Sequence, residues 1–229
     1  TYYENVKKFA STMGPGETVN IVLPVYNSLH LVRECIASVL KDTYWPYHLT
    51  IVDDASDAHT NIELGKIVAE HPDKMTLLTN RKNRGFSATV NRGVKHYQAQ
   101  SKYTCYLNSD VIVTPYWLTK MVMALNANPR NKIVNPVTNN TAVINVNMSQ
   151  GFSYQSMNKS LEQNSTRKYP EIMPTGFCFL FANKLLQTIG YLDEAYQNFG
   201  EETDFWMRTI TYSDGKTFDR WRAVLADDT

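Results

Sequence analysis

The sequence predicts an α/β fold in which helices cover both faces of a mostly parallel sheet. Short apolar runs rich in β-branched residues, typical of buried strands, alternate with segments whose apolar residues recur at helical spacing. Several of these runs end directly in acidic or amide residues. Because open α/β sheets bind ligands at the carboxyl ends of their strands, we expect a site at that edge.

The first part of the alternation contains three strands and two helices. A strand is predicted over 19–24 and a helix over 29–41, where apolar residues recur three or four positions apart. A second strand over 49–52 is followed by a helix over about 60–70 and a third strand over 75–78.

The alternation then continues less regularly. A loop at 80–87 precedes a helix over 88–98, a strand that ends just before Asp110, and a helix from Pro115 to about Leu125. Strands and helices again alternate here, and each helix would cover a face of a parallel sheet.

The last third of the chain has a different character. Residues 135–170 are rich in Asn, Ser, Gln and Lys and show neither period, which predicts a long irregular segment that is functional or mobile. An apolar strand is predicted over 177–181, and a loop entering a helix over 199–211, with Thr203 as its cap.

Composition limits the class of protein. The chain has 229 residues, 43% of them hydrophobic, which is enough for one domain with its own core. The 23 Lys and Arg against 22 Asp and Glu give a net charge of +1, so no nucleic-acid partner is expected. Residues 1–17 are polar and are expected to be a lead-in outside the core, with the main domain at 18–229.

The compartment is expected to be the cytoplasm. No apolar run approaches the ~20 residues of a membrane span, and no signal-peptide core is present. Cys35, Cys105 and Cys178 lack CxxC spacing and are expected to be buried thiols. Four Asn-X-Ser/Thr matches, which would suit secretion, lie in a region rich in Asn and Ser, and we attribute them to composition.

Three groups of acids are the candidates for chemistry. At strand ends, carboxylates bind a base, a ribose or a hard divalent cation, and on a late helix a carboxylate is suited to general base catalysis. Each acid also has an ordinary interpretation as a turn former or a favourable first helical turn. Their shared position at one predicted edge favours function. The groups are Asp53 with Asp54, Asp110, and Glu201 with Glu202 and Asp204.

The usual phosphate-binding loops are missing. The chain has neither GxGxxG nor GxxxxGK[ST], and the first strand turns at Pro24. A nucleotide diphosphate would therefore need a metal to neutralise it, which gives Asp110 greater weight. The five histidines have no zinc spacing, and no GxSxG supports a serine triad.

Six segments in order resemble the family 2 glycosyltransferases of GT-A fold, particularly those that build bacterial surface polysaccharides. The resemblance covers about residues 18–228 and implies a Rossmann-like, mostly parallel sheet flanked by helices, with a smaller acceptor-side region. It divides the chain into a nucleotide-sugar half, 18–134, and an acceptor and catalytic half, 135–229. The segments are IVLPVYN at 21–27, VDDASD at 52–57, NRGFSATVNRG at 83–93, LNSD at 107–110, TGFC at 175–178 and GEETDF at 200–205.

The resemblance implies a role for each matching residue. Pro24 and Tyr26 would line the base, and Asp54, beside Asp53, would bond its imide or the ribose. The other implied nucleotide-sugar residues are Asn83, Gly85, Asn91 and Ser109. Asp110 would bind Mg²⁺ or Mn²⁺ on the diphosphate. Glu202 matches the usual base, and Glu201 and Asp204 remain candidates for the same role.

The activity implied is a metal-dependent, inverting, hexosyltransferase-like transfer. A UDP-, dTDP- or GDP-linked sugar would pass to a hydroxyl of a glycan or lipid-linked acceptor in surface polysaccharide synthesis. The protein would work in the cytoplasm or at the cytoplasmic face of the membrane. Two other classes stay open: a catalytically silent nucleotide-sugar-binding module of a larger protein, and a sugar nucleotidylyltransferase, whose glycine-rich first loop is absent after Leu23.

Two departures from the family pattern stand out. Asn108 replaces the first acid of the DxD-type motif, so a metal would have fewer protein oxygens and keep more water. The family usually has a His soon after a segment like 223–228, yet no His follows His96 here. We therefore expect the chain to be one domain of a longer protein, with the His beyond Thr229.

Overall fold

The computed structural model describes residues 2–12, 14–141, 144–146, 148, 151, 153–196, 199–212 and 221–229. Within these residues the strands form one seven-stranded sheet. The strands are β1 (Val19–Val25), β2 (Tyr47–Asp53), β3 (Met75–Thr79), β4 (Tyr103–Leu107), β5 (Asn131–Pro136), β6 (Cys178–Ala182) and β7 (Arg222–Ala226).

The strand order is β3-β2-β1-β4-β6-β5-β7. Strand β1 is parallel to β2 and β4, β2 to β3, and β5 to β7, whereas β6 is antiparallel to both of its neighbours. The predicted mostly parallel sheet is confirmed. The carboxyl ends of six strands and the amino end of β6 therefore meet at one edge, the carboxyl edge.

Helices cover both faces of this sheet. Helices α2, α3 and α5 pack on one face, with Cys35, Leu64 and Trp117 in its core, and α4 and α8 pack on the other around Val90 and Phe205. The helices are α1 (Tyr2–Ser11), α2 (Leu29–Asp42), α3 (Ala58–Glu70), α4 (Phe86–Tyr97), α5 (Trp117–Asn126), α6 (Tyr154–Asn164), α7 (Leu186–Ile189) and α8 (Glu201–Thr211).

The predicted elements from β1 to α5, and β6 and α8, lie within a few residues of those observed. Helix α4 starts at Phe86, two residues earlier than expected, because Gly85 turns the chain with a φ of +80°. That conformation favours glycine, since a Cβ would be strained there. Helix α8 likewise follows a glycine, Gly200, with a φ of +99°.

The N-terminal segment contributes to the core, contrary to the expectation of a polar lead-in. Its helix α1 buries Val6 completely and packs Phe9 against Trp45, with ring centroids 5.5 Å apart. The spacing of Val6 and Phe9 places them on one helical face. Because charged and polar residues surround Val6 and Phe9, their periodicity was too weak to be recognised.

The expectation of an irregular segment over 135–170 is wrong for its second half, which forms α6. Ser153 caps this helix by accepting a hydrogen bond from the Ser156 amide, with the oxygen and nitrogen 3.2 Å apart. Most of its side chains are polar, so hydrophobic periodicity did not reveal it. Strand β7 was also not predicted, and it completes the sheet by pairing with β5, where Val134 faces Val224.

The predicted state of the cysteines is confirmed. Cys35, Cys105 and Cys178 are buried free thiols, as predicted. No helix in the described ranges is long and apolar enough to cross a bilayer.

Candidate active site

The predicted site residues collect at the carboxyl edge because the parallel strands all end there. Tyr26 follows β1, Asp53 ends β2, and the 80–85 loop follows β3. The loop after β4 carries Asp110 and is joined to the turn before β6, since the Asn108 amide donates to the Phe177 carbonyl across 2.8 Å.

Asp54 holds the loop after β3. It is 5% exposed, and its Oδ1 accepts from Asn80 Nδ2 at 2.7 Å and from the Arg84 amide at 2.9 Å. Its Oδ2 accepts from the Gly85 amide at 3.0 Å, and Asn83 Oδ1 accepts from the same amide at 3.0 Å. The carboxylate therefore fixes the backbone on which Asn83 and Gly85 lie.

Asp53 has a similar internal role. It is fully buried, and its Oδ1 accepts from the Ser56 amide at 3.0 Å while its Oδ2 accepts from Asn61 Nδ2 at 2.7 Å. These bonds shape the turn between β2 and α3. In this structure both acids of the Asp53–Asp54 pair bond to the protein, and their predicted contact with a nucleotide stays a prediction.

The loop after β1 leaves an aromatic ring open to a ligand. Pro24 is half-buried near the end of β1, and Tyr26 is 57% exposed. The next residue, Asn27, ties this loop to the loop after β2, because its Oδ1 accepts from the Asp57 amide at 2.8 Å. A fixed loop with an exposed tyrosine is suited to stacking on a planar ring.

Asp110 is exposed, as a ligand-binding carboxylate needs to be. In the described parts of the chain, no hydrogen bond or ion pair engages its oxygens. No group of three or more His, Cys, Asp or Glu side chains lies together there to form a complete metal cage. One free carboxylate beside Asn108 and Ser109 fits Mg²⁺ or Mn²⁺ that is bound mainly by phosphate oxygens and water.

A cavity of about 660 Å³ opens beside Asp110. It lies between the loop after β4, the segment after β5 and helix α6, and its lining includes Ile112, Tyr154, Met157 and Phe177. Among the described residues that line it, Asp110 is the one charged side chain. The cavity therefore suits an uncharged group with apolar and hydroxyl-bearing parts.

The first turn of α8 places two glutamates near the same edge. Glu201 is buried, and burial raises the pKa of its carboxyl, with a further rise from Glu202. Glu202 is half-buried and lies against the turn before β6, where a Cβ on Gly176 would come 3.4 Å from Glu202 Cδ. One oxygen of each carboxylate is buried without a hydrogen-bond partner in the described chain.

Asp204 lies on the same helical turn but has a structural partner. Its Oδ2 accepts from Arg208 Nε at 2.8 Å and also from the Nη2 of that guanidinium. Arg208 in turn donates to the carbonyls of Ile189 and Tyr191. Because Asp204 is engaged by Arg208, which joins α8 to the preceding turn, Asp204 is a poorer candidate for the base than Glu202 or Glu201.

Asn91 also acts inside the protein. It is buried, its Nδ2 donates to the Leu192 carbonyl at 2.8 Å and to Glu194 Oε1 at 3.1 Å, and its Oδ1 accepts from the Leu192 amide at 3.1 Å. These bonds fix the segment before α8 against α4. Asn91 therefore affects the site by holding that segment.

Three further residues shape the site without having been predicted. Asn80 anchors the loop after β3, Asn135 donates to the carbonyls of Thr175 and Cys178 on either side of Gly176, and Tyr106 lies behind the glutamates. Asn80 could have been recognised as a polar residue directly after a strand, the same signal that identified Asp53. No sequence signal marks Tyr106, which reads as an ordinary strand residue.

The mostly parallel seven-stranded sheet covered by helices on both faces is the GT-A fold. The family model for "Glycosyl transferase family 2" matches residues 20–190, and the chain belongs to this family.

One relative is a UDP-Glc:α-D-GlcNAc-diphosphoundecaprenol β-1,3-glucosyltransferase, WfgD of Escherichia coli. It is 31% identical over 116 residues, which are 50% of this chain and 42% of that protein. The chain spans less than half the length of the curated relatives that it matches.

Two solved structures share the fold. The mannosyltransferase PcManGT of Pyrobaculum calidifontis, in complex with GDP-Man and Mn²⁺, is 18% identical, with a TM-score of 0.66 over 98% of this chain and 61% of that one. GalNAc-T7 with UDP, GalNAc and Mn²⁺ is 16% identical, with a TM-score of 0.68 over 92% of this chain and 42% of that one. At these identities the likeness shows the fold.

Proposed function

We propose that this domain transfers a sugar from a nucleotide-diphosphate donor to an acceptor hydroxyl, with inversion at the anomeric carbon. The observation that carries the proposal is the position of a free carboxylate, Asp110, and of the buried Glu201 beside the half-buried Glu202, at one edge of the sheet. The first suits a cation on the diphosphate, and the second suits removal of a proton.

The donor would lie across the loops after β1, β3 and β4. The exposed Tyr26 ring, with Pro24 beside it, would stack on the base, and the loop that Asp54 fixes would border the nucleotide through Asn83 and Gly85. GDP-Man and UDP in the two structural neighbours support a nucleotide-sugar donor. The base and the sugar are left open among UDP-, dTDP- and GDP-sugars.

Asp110 would hold the cation, with Ser109 and Asn108 beside it and water completing its coordination. When bound, Mg²⁺ or Mn²⁺ supplies Lewis-acid stabilisation of the negative charge on the departing diphosphate. Mn²⁺ accompanies both structural neighbours, which supports a divalent metal.

The reaction would be a single displacement. A bond forms between the acceptor oxygen and the anomeric carbon while the bond from that carbon to the diphosphate oxygen breaks, and the electron pair leaves with the nucleotide diphosphate. Glu202 would take the proton of the acceptor hydroxyl from the opposite side of the sugar. Glu201 is the alternative base on the same turn.

The acceptor would enter through the cavity beside Asp110, whose lining is otherwise uncharged and suits a neutral sugar with an apolar neighbour or carrier. The acceptor in the name of WfgD is a lipid diphosphate sugar, which supports a glycan or lipid-linked acceptor here and a role in surface polysaccharide synthesis. We place this activity in the cytoplasm or at the cytoplasmic face of the membrane.

Thermal stabilisation with Mn²⁺ and a panel of UDP-, dTDP- and GDP-sugars would identify the donor, since a ligand that binds the native state raises the Tm. No shift with any of them would contradict the proposal. The configuration of the product, measured by NMR, should be opposite to that of the donor, and retention would contradict a single displacement.

Two variants test the roles of the acids. Asp110→Ala should lose metal-dependent nucleotide binding, measured by calorimetry, while the exposed turn variant Asp73→Ala should keep it. Glu202→Gln should keep nucleotide binding and lose transfer, and the exposed helical variant Glu70→Gln should keep both. Equal metal-dependent affinity in Asp110→Ala, or full turnover in Glu202→Gln, would refute the assigned role.

A further inference from the structure

A fully buried lysine lies behind the cavity beside Asp110. Lys120 of α5 has no exposed surface, although a lysine is rarely buried completely unless its charge is paired. Its Nζ lies 2.7 Å from Glu162 Oε1, and it donates to Asn158 Oδ1 at 3.2 Å and to the Asp228 carbonyl at 2.8 Å. These three partners match the three N–H groups of the ammonium.

Lys120 and two of its partners lie directly behind the cavity. Trp117, which lines the cavity, is one helical turn before Lys120 on the same side of α5. On α6, Asn158 lines the cavity itself, together with Met157 and Leu161. The ammonium therefore joins two helices that both contribute to the cavity wall.

The third partner belongs to the segment after β7, residues 227–229. Asp228, whose carbonyl accepts from Lys120, precedes Thr229, which lines the cavity. The Thr229 carbonyl accepts from the Val137 amide at 3.0 Å, and Val137 is a lining residue of the segment after β5. Three parts of the cavity wall thus converge on one buried ammonium.

Helix α6 has little else to attach it to the core. An apolar stripe normally fixes a helix to the body of a protein. Among the described residues of α6, which are all eleven of them, Asn158 alone is buried, and it also donates to Glu162 Oε1 at 3.2 Å. The residues that bind Lys120 are therefore the main attachment of this helix.

We propose that Lys120 is a positioning residue, which holds α6 and the segment after β7 against α5 and thereby fixes the shape of the acceptor cavity. This inference rests on the proposed function for the identity of the cavity as the acceptor site. Loss of the ammonium leaves the Glu162 carboxylate and the Asp228 carbonyl without their partner, which loosens the parts that they belong to. Acceptor binding should weaken, and nucleotide binding at the loops after β1 and β3 should not change.

The first test is hydrogen exchange in Lys120→Met, which keeps an unbranched side chain of similar length and removes the charge. Amide exchange should become faster in α6 and in the segment after β7, while α2, α3 and α4 exchange at the wild-type rate. Unchanged exchange in α6 would overturn the proposal. An equal acceleration in every helix would also overturn it, because that is what a general loss of stability predicts.

Binding measurements on the same variant test whether the effect is specific to the cavity. The probes are octyl glycosides of glucose, galactose and N-acetylglucosamine, which are uncharged sugars with an apolar tail, and UDP and GDP with Mn²⁺. The Kd of the glycoside should rise by roughly ten- to a hundredfold, the order that a displacement of about 1 Å costs in a site. The Kd of the nucleotide should not change.

Three results of these binding measurements would overturn the proposal. The first is an equal glycoside affinity in Lys120→Met and the wild type. The second is an equal loss of affinity for glycoside and nucleotide, which a purely structural role predicts. The third is a wild-type protein that binds none of the glycosides.

Lys102→Met is the matched control. Lys102 Nζ also lies 2.7 Å from a glutamate oxygen, Glu17 Oε1, but this residue precedes β4 at the opposite edge of the sheet. The variant should keep the wild-type exchange of α6 and the wild-type affinity for the glycosides. The changes seen in Lys120→Met would, if they also occurred here, show that the effect is not local and overturn the proposal.

Glu162→Gln is the second variant, for use if Lys120→Met does not fold. It keeps the size of a side chain that is 17% exposed, and it leaves the bond from Lys120 to the Asp228 carbonyl in place. Exchange should rise in α6 alone, with weaker glycoside binding, and wild-type values of both would overturn the proposal. Because neither readout needs sugar transfer, failure of the proposed glycosyl transfer and failure of the Lys120 role give different results.

Discussion

The carboxylate of Asp54 is the clearest structural element of the site, and removing its charge tests that role. Asp54→Asn keeps the shape of the side chain and one acceptor oxygen, but the other oxygen becomes an NH₂ group. In one orientation this NH₂ group faces the donors Asn80 Nδ2 and the Arg84 amide, and in the other it faces the Gly85 amide. Hydrogen bonds to charged groups contribute about 1.5–3 kcal/mol each, and they are not fully additive. We expect the free energy of unfolding to fall by about 3 kcal/mol.

A loss of that size is a large part of the 5–15 kcal/mol typical of native proteins. For a domain of this length, a loss of about 3 kcal/mol corresponds to a decrease in Tm of roughly 6–12 °C. Urea unfolding followed by tryptophan fluorescence would measure the free energy, and calorimetry the nucleotide affinity. We expect that affinity to fall too, because the loop that carries Asn83 and Gly85 loses its anchor.

Asp57→Asn is the control, because Asp57 also accepts an amide hydrogen bond, from Thr60 at 2.9 Å, but at the exposed start of α3. Its effect on unfolding should be smaller, and nucleotide affinity should not change. Wild-type stability in Asp54→Asn would refute the reasoning about the carboxylate. Reduced stability with unchanged nucleotide affinity would show that the loop after β3 does not contribute to nucleotide binding.

Three further predictions concern the packing and the pH response. Gly93→Ala should lower the free energy of unfolding by about 1–3 kcal/mol, since its Cβ would lie 2.5 Å from Val22 Cγ1. An unchanged urea unfolding curve would contradict this prediction. Asn91→Ala should lower turnover by releasing the segment at Leu192, and full kcat would argue against that role. Burial raises the pKa of the Asp228 carboxyl from 3.8 to about 6, so the folded state binds this proton more tightly than the unfolded state does. The free energy of unfolding should therefore fall by up to about 3 kcal/mol as the pH rises from 4 to 6. Asp228→Asn should remove that slope, and a slope equal to the wild type would contradict the assignment.

Strands β1, β2 and β4 could be predicted because they are buried on both faces and therefore appear as continuous apolar runs. The acids that follow β2 and β4 also marked the carboxyl edge before any geometry was known. Helices α1 and α6 escaped prediction because they bury few side chains, Val6 and Asn158 among them, and so have little periodicity.

Site roles were harder to predict than site position. The sequence places Asp54 and Asp110 at equivalent points, directly after strands, but it does not reveal which carboxylate has partners inside the protein. Asp54 accepts three hydrogen bonds, whereas Asp110 is exposed with no hydrogen bond in the described chain. This difference depends on the path of the 80–85 loop, which is a tertiary contact and leaves no local signal. Tyr106 is a further example, since only the pairing of β4 with β6 brings it to α8.

The contrast between Asp54 and Asp110 predicts a division of roles, with Asp54 stabilising the fold and Asp110 binding the metal. Measurements of stability and of binding can separate these roles. A carboxylate that is saturated by the protein contributes to the free energy of unfolding, so its replacement changes stability and changes binding through the loop. An exposed carboxylate without partners contributes nothing to packing, so Asp110→Ala should melt like the wild type and lose metal-dependent binding alone. If both variants lost stability equally, Asp110 would also have to be part of the scaffold, and the cation would need another carboxylate at this edge. Equal Tm values for Asp110→Ala and the wild type, with a lower Tm for Asp54→Asn, would support the division.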